Sequence, residues 1–361
     1  MLVRGLNVFQ IIIKKTAPIS SYMEGKHCFI IVSFFVTQKE ALAQMKAQWA
    51  HRSKNHSLVL GRNITDVQKV PAEKMGGSIV LVDAMQLKKG ILAEIEVPTA
   101  FGMCAHVSEP GVLVASGSSV VHVQNGKIVS SFSNSMFNDI HGLSRTHSGH
   151  LLVTSTGTDA LFEVSLNDPK KICWEWLATE HGLDQAGDGS KKNISRDIDY
   201  RTVTTSTPEH TTHINSSLEY KKGSILATLF HQGTLVEINK LTGKSSTLLS
   251  GLQSPHSIRK WKNGFMLSDT RSNSILLLDN NFLVTKKIHS NSFEWVQDSL
   301  YLDETDEYLI ADSNNGIIHK VQEDGTETSL WQYDNNSRKI AMMEYISVEQ
   351  AHAIFGSNFL K

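Results

Sequence analysis

The sequence predicts an all-β protein, a six-bladed β-propeller, and three observations carry that prediction. From residue 101 onward, short apolar or β-branched runs alternate with turn clusters, without helical periodicity. Aligned on their glycine turns, five units of roughly 40 residues emerge, each reading strand, turn, strand, polar loop, strand, turn, strand. Strand-like runs left over at the two ends supply one more unit. Four antiparallel strands per unit is the signature of a propeller blade. A lone twisted sheet leaves both faces open, whereas a ring of blades covers each with its neighbours.

Along the chain, residues 1–75 read as an N-terminal extension. It holds eleven Lys/Arg against four Asp/Glu, so the remainder of a chain of net charge −1 is acidic. Its most apolar run, CFIIVSFFV (28–36), is nine residues long, too short to span a bilayer. That run would join a seventh blade if the ring is larger than six. QKEALAQMKAQWAHR (38–52) puts Leu42, Met45 and Trp49 on one stripe beside Ala41, a short amphipathic helix expected on the outside or bottom of the propeller. SIVLVD (78–83) and ILAEIEV (91–97) supply two strands. The five full units follow at 101–132, 139–177, 211–251, 254–289 and 295–334. RKIAMMEYISV (338–348) supplies one or two strands more. Pairing the two ends closes the ring and removes its open edges. The propeller is expected over 76–352, with 353–361 a C-terminal tail.

Composition narrows the function classes. With 40% hydrophobic and 20% charged residues the chain is ordinary globular material. Its near-zero net charge, and the lack of a basic-aromatic face in the repeats, argue against a nucleic-acid partner. Cys28, Cys104 and Cys173 are too widely spaced for a disulfide framework, and MLVRGLNVFQIIIKK lacks a small-residue cleavage site. A cytoplasmic protein with no integral membrane segment is expected. No G-x-S-x-G, H-E-x-x-H or C-x-x-C occurs, so serine-hydrolase, zincin and zinc-ribbon chemistry has no motif to rest on.

The repeat gives the histidines addresses. His141, His213 and His256 fall in one register, at the start of the first strand of three successive blades. First strands line a propeller's channel, so the three imidazoles are expected at one level of its wall. The fifth unit breaks the series, with Val296, Gln297 and Asp298 near that position. Loops between second and third strands lie on the same face. They bring His231, Asp269, Arg271 and Asp312 to the rim above. Catalytic candidates are therefore His213, His141, His256 and Arg271. Three neutral imidazoles also suit a divalent metal (Zn, Ca or Fe), with His231, Asp269 and Asp312 as rim ligands. Each residue has a plainer reading, because duplication copies a structural hydrogen bond as readily as a ligand, and turn Asp residues cap loops.

Two further expectations concern the same face. The insertion 178–210 is long for a compact repeat and reads as a lid over the channel, replaceable at little cost in stability. It ends in EHTTHINSS, where His210 precedes His213 by three. An odd offset within a strand puts the two side chains on opposite faces, so His210 is assigned to the lid and not to a local pair.

HGLSRTHSGHLLVTSTGTDALFEVSL…WEW and THINSSLEYKKGSILATLFHQGTLVEINKLTG resemble blades of the bacterial arylsulfotransferase group. SPHSI resembles the Pro-His starts of streptogramin-lyase-like (NHL-type) propellers. The likeness covers mainly 139–264 and its motifs are degenerate. The first resemblance implies group transfer through a channel histidine, carried over to His213 alone. The second implies channel histidines with a metal. Unlike the exported sulfotransferases, the chain is expected to carry neither an export signal nor an appended domain of their usual size, and its long insertion is a further departure.

Together these readings predict an enzyme acting on a small molecule at a histidine-lined channel, by group transfer, elimination or hydrolysis. The alternative is a non-catalytic propeller that binds a protein partner.

Overall fold

A computed structural model describes residues 27–54, 70, 72–105, 110–186 and 189–357. Its strands form six four-stranded antiparallel sheets, so the ring has six blades and not seven. Blade 1 is β4–β7 (Met103–Cys104, Val112–Ser116, Ser119–Gln124, Lys127–Ser133). Blade 2 is β8–β11 (Ile140–Arg145, Leu151–Ser155, Ala160–Val164, Ile172–Leu177). Blade 3 is β12–β15 (Ile214–Lys221, Ser224–Leu229, Thr234–Asn239, Ser245–Leu249). Blade 4 is β16–β19 (Pro255–Trp261, Gly264–Asp269, Ser274–Leu278, Val284–His289). Blade 5 is β20–β23 (Val296–Leu302, Glu307–Asp312, Ile317–Val321, Glu327–Gln332).

The second and third strands of a blade are covered on both faces. That is why they read as near-continuous apolar runs, such as LLVTS in β9 and SILLL in β18, every residue of which is buried. The outermost strands are more open, as the mostly exposed VTKKIH of β19 shows. Core clusters lie between blades. Leu152, Leu161 and Trp176 of blade 2, for example, pack with Ile225, Ala227 and Val236 of blade 3. Burying side chains of this size stabilises by about 1.5–3 kcal/mol each.

Blade 6 closes the ring and corrects the boundary expected at residue 76. Its strands run β24 (Lys339–Ile346), β1 (Phe29–Val36), β2 (Gly77–Asp83) and β3 (Ile91–Val97) in space. The C-terminal segment gives one strand, the innermost, and Phe29–Val36 is the second strand rather than an extension. β1 is buried along its whole length. Phe29 and Ile31 pack toward blade 1, while Ile30, Val32 and Phe34 pack toward blade 5.

Helix α1 (Lys39–Lys54) lies where the amphipathic pattern predicts it, but not on the outside or bottom. It follows the end of β1 that pairs with Lys339, the start of the innermost strand, and so sits on the face where inner strands begin. Its Ala41 and Leu42 pack with Phe35, Val36, Val70 and Met75. The short helix α2 (Ala72–Met75) leads into β2. The side chain of Trp49 lies outside the described residues. At the other end the expected tail begins inside a helix, α3 (Val348–Phe355), capped by Ser347 and Gln350. The α3 carbonyls of Ala353 and Ile354 receive the backbone N–H groups of Asn125 and Gly126 in blade 1.

Candidate functional site

The inner strands of blades 2 to 5 each begin with a bulge. Register slips between Ile140 and Gly142, Ile214 and Ser216, Pro255 and Ile258, and Val296 and Asp298. These bulges realign the histidines. His141 and His256 occupy equivalent bulge positions, but blade 3 has Asn215 there and blade 5 has Gln297. His213 lies two residues earlier, matching Asp139, Ser254 and Trp295. Asp139, His213 and Ser254 all have positive φ, at 48°, 49° and 59°. The single register expected for the three histidines is therefore two registers, and His213 sits at the left-handed position of its blade.

The carboxylate of Asp159 holds that left-handed turn. It accepts the backbone N–H groups of Thr211, Thr212 and His213 at 2.7, 2.9 and 2.8 Å, and the Thr212 hydroxyl at 2.9 Å. Lys192 lies 3.5 Å away. Burial alone would raise the Asp159 pKa. The nearby His210 imidazole and the Lys192 ammonium, with the backbone donors, outweigh burial and hold it below the usual carboxylate range.

A chain of ring contacts runs across the face where the inner strands begin. Phe35 of blade 6 stacks on Phe101 at 4.6 Å between centroids, and Phe101 stacks on His141 at 4.7 Å. His141 meets the edge of His213 at 5.1 Å, and His213 meets Phe230 at 5.1 Å. Phe230 meets His256 at 5.4 Å, and His256 meets Trp295 at 5.8 Å. His231 lies 5.8 Å from His213. Arg271 stands on the rim, its guanidinium carbon 5.8 Å from the Phe230 ring and 6.0 Å from Trp295. Phe101, Phe230 and Trp295 were not singled out from sequence. Trp295 could have been found, since it occupies the His213 position of its own blade.

Hydrogen bonds fix two of the imidazoles. The Asn215 amide nitrogen donates to Pro255 O at 3.1 Å, so its oxygen is the acceptor for His141 Nδ1, 3.0 Å away. The Thr270 hydroxyl donates to Val296 O at 2.7 Å, so its oxygen accepts from His256 Nδ1, also 2.7 Å away. Both rings thus donate from Nδ1, and the neutral His256 leaves its Nε2 proton-free. His141 Nε2 lies 3.7 Å from Asp139. Burial, with His141 and Arg271 nearby, drives His256 down to about 3 against the Ser254 carbonyl that opposes it. Burial, then His210, His141 and His231, drives His213 well below 6.5. Both imidazoles are neutral at neutral pH.

His210 departs most from expectation. Its Nδ1 lies 2.6 Å from that of His213, and the rings stack at 4.9 Å. The odd-offset rule fails because neither residue lies in a strand: β12 starts at Ile214, and the left-handed turn at His213 folds the rings together. Nor is His213 water-lined, since it is 7% exposed and His210 is fully buried.

The rim ligands do not assemble. Asp269 accepts the backbone N–H of Gln253 and the Ser272 hydroxyl. Asp312 accepts the backbone N–H groups of Glu294 and Trp295. Each carboxylate ends a second strand and pins the segment entering its own inner strand. Ser155 does the same for Asn138 in blade 2. Among the described residues no group of three or more His, Cys, Asp or Glu is arranged to hold a metal ion. The donor set read from sequence therefore does not fit a shared metal, because both carboxylates are turned to backbone.

The insertion is anchored rather than a loose lid. Ile194 and Tyr200 belong to the core cluster of blades 1 and 2, with Phe137 and Leu177. Tyr200 N donates to Ser135 O at 2.7 Å. The strap delivers Thr205 and His210 to His213. Further along the inner strands, Arg259 pairs with Asp298 at 2.7 and 3.1 Å and donates to Met343 O at 2.5 Å. This joins blades 4, 5 and 6 beneath the imidazoles.

No family model matches the sequence, and no curated protein sequence matches it. Solved structures do. A protein of unknown function from Bacteroides caccae is similar at 11% identity and TM-score 0.56, over 89% of this chain and 99% of that one. A chain of the nidogen/laminin complex is similar at 8% identity and TM-score 0.54, over 89% and 98%. The fold is a six-bladed propeller. Virginiamycin B lyase from Staphylococcus aureus is more distant, at 12% identity and TM-score 0.45, over 65% of this chain and 70% of that one. The arylsulfotransferase likeness rests on sequence motifs alone. Among the described residues no helix is long and apolar enough to cross a membrane.

Proposed function

We propose that the channel mouth is the active site of an enzyme acting on a small molecule. In this reading His213 takes a proton or a transferable group on its ring nitrogen. Arg271 holds the anionic part of the substrate, and the aromatic arc packs against its apolar part. The observation that carries the reading is the buried, neutral His213, ringed by His141, His231 and Phe230. A neutral imidazole is the form that acts as base or nucleophile, and a site shielded from water strengthens the pull of a nearby guanidinium. Group transfer, elimination and hydrolysis all begin with such a step.

The test is a turnover screen over sulfuryl, phosphoryl and acyl esters and lactones, run with wild type, His213→Ala and a chelator-treated sample. Turnover by wild type that is lost in His213→Ala and unaffected by chelator is expected. Loss on chelation, restored by one divalent ion, would replace the metal-free step with a metal-assisted one. Turnover that survives in His213→Ala would remove the catalytic role.

A further inference from the structure

One of the two facing Nδ1 atoms of His210 and His213 must carry a proton, and the surroundings decide which. The Asn138 amide nitrogen donates to both Tyr200 O and Val203 O, the latter at 2.7 Å. Both of its protons are engaged, so Asn138 Oδ1 is an acceptor. The Thr205 hydroxyl lies 3.3 Å from that oxygen and donates to it. The hydroxyl has one proton, so toward His210 Nε2, 3.1 Å away, Thr205 is the acceptor. Beside Asp159 a charged His210 would donate from both nitrogens; the neutral ring carries its proton on Nε2 and presents a lone pair at Nδ1. His213 must fill that lone pair with its own Nδ1–H.

We propose that Asn138, Thr205 and His210 are positioning residues, a hydrogen-bond relay that locks His213 with Nδ1 protonated and Nε2 proton-free. All four side chains are buried, so water does not compete for the bonds. The start of the relay is also fixed sterically. A Cβ on Gly157 would lie 1.9 Å from Asn138 Oδ1, so only glycine there leaves room for the amide. The relay has His213 donate from Nδ1, as His141 and His256 do, by a different route. Those two lean on a side chain of their own or the next blade, whereas His213 leans on the strap. The insertion thereby acquires a role, which is to carry Thr205 and His210 beneath the one imidazole of the three that has a left-handed backbone. This inference rests on the proposed function only for the use of Nε2, and not for the tautomer itself.

The test is nitrogen-15 spectroscopy of the full chain labelled at histidine, with the His213 signals assigned by their loss in His213→Gln. Wild type should show a protonated Nδ1 and a proton-free Nε2 at His213. Thr205→Val should populate the other tautomer and lower kcat about 10- to 100-fold at unchanged KM, the range seen when groups that orient a functional imidazole are removed. Thr205→Ser should restore both. A protonated Nε2 in wild type would overturn the relay, as would a Thr205→Val spectrum identical to wild type. If Thr205→Val does not fold, the wild-type spectrum alone decides. A wild-type spectrum as expected, with turnover surviving in His213→Ala, would uphold the relay and remove the catalytic reading.

Discussion

The Nδ1 atoms of His210 and His213 face each other at 2.6 Å, with the two rings within 16° of parallel. Each ring is the other's buried partner. Truncating either to Ala leaves a desolvated nitrogen behind, at a cost of about 1–3 kcal/mol. Removing both leaves no orphan in the pair, so the double variant should cost less than the sum of the singles. Urea denaturation of the three variants measures this. Strict additivity would mean that the two rings are not coupled.

Asp159 gathers three backbone N–H groups, one hydroxyl and Lys192 around a fully buried carboxylate. Asp159→Ala should destabilise by about 3–5 kcal/mol, the range for breaking a buried charge pair. It should also release the left-handed turn at His213. A loss below about 1 kcal/mol in chemical denaturation would show that the turn is held by other contacts.

The strap is part of the core. Replacing residues 184–207 with a Gly-Ser linker removes Ile194 and Tyr200 from the blade 1–blade 2 cluster. Each such side chain contributes about 1.5–3 kcal/mol. The melting temperature should therefore fall by many degrees. An unchanged melting temperature would restore the picture of a loose lid.

Acid and base should act through different residues. His256 is driven to about 3 and His213 well below 6.5 in the folded state. The unfolded chain then binds more protons below 6.5, so stability falls as pH drops from 6.5 toward 3. Glu344 works in the opposite sense. Burial pushes it up from 4.5 to about 7, despite the Arg259 charge and the Ala105 backbone N–H. The folded chain binds the extra proton between those values, so stability falls as pH rises from 4.5 to 7. In urea midpoints measured across pH, Glu344→Gln should shrink the decline on the high side, to which His319, raised above 6.5, also contributes. His256→Gln should shrink the decline on the low side. Profiles unchanged by either substitution would contradict these assignments.

Propeller architecture was legible because blades cover one another, which writes apolar second and third strands at a regular interval. The same double coverage hid β1. A fully buried strand shows no alternation, and β1 is separated from its blade mates by α1 and a long connection. The histidines were legible as a group but not in detail. Spacing alone cannot reveal a bulge or a φ of 49°, and those two features set where His213 points. Asp269 and Asp312 were misread because a carboxylate ending a strand looks the same in sequence whether it faces a channel or a backbone amide. Thr205 and Asn138 carry no motif, and their part exists only once the strap is laid across blade 2.

The most direct test of the account compares kcat/KM of wild type and His213→Gln on the substrate class found by screening, at matched folded fraction. A loss of about 10²–10⁴-fold, the usual contribution of one acid–base group, is expected. Equal kcat/KM for the two proteins would contradict the account and leave the buried histidine pair a structural element of the propeller.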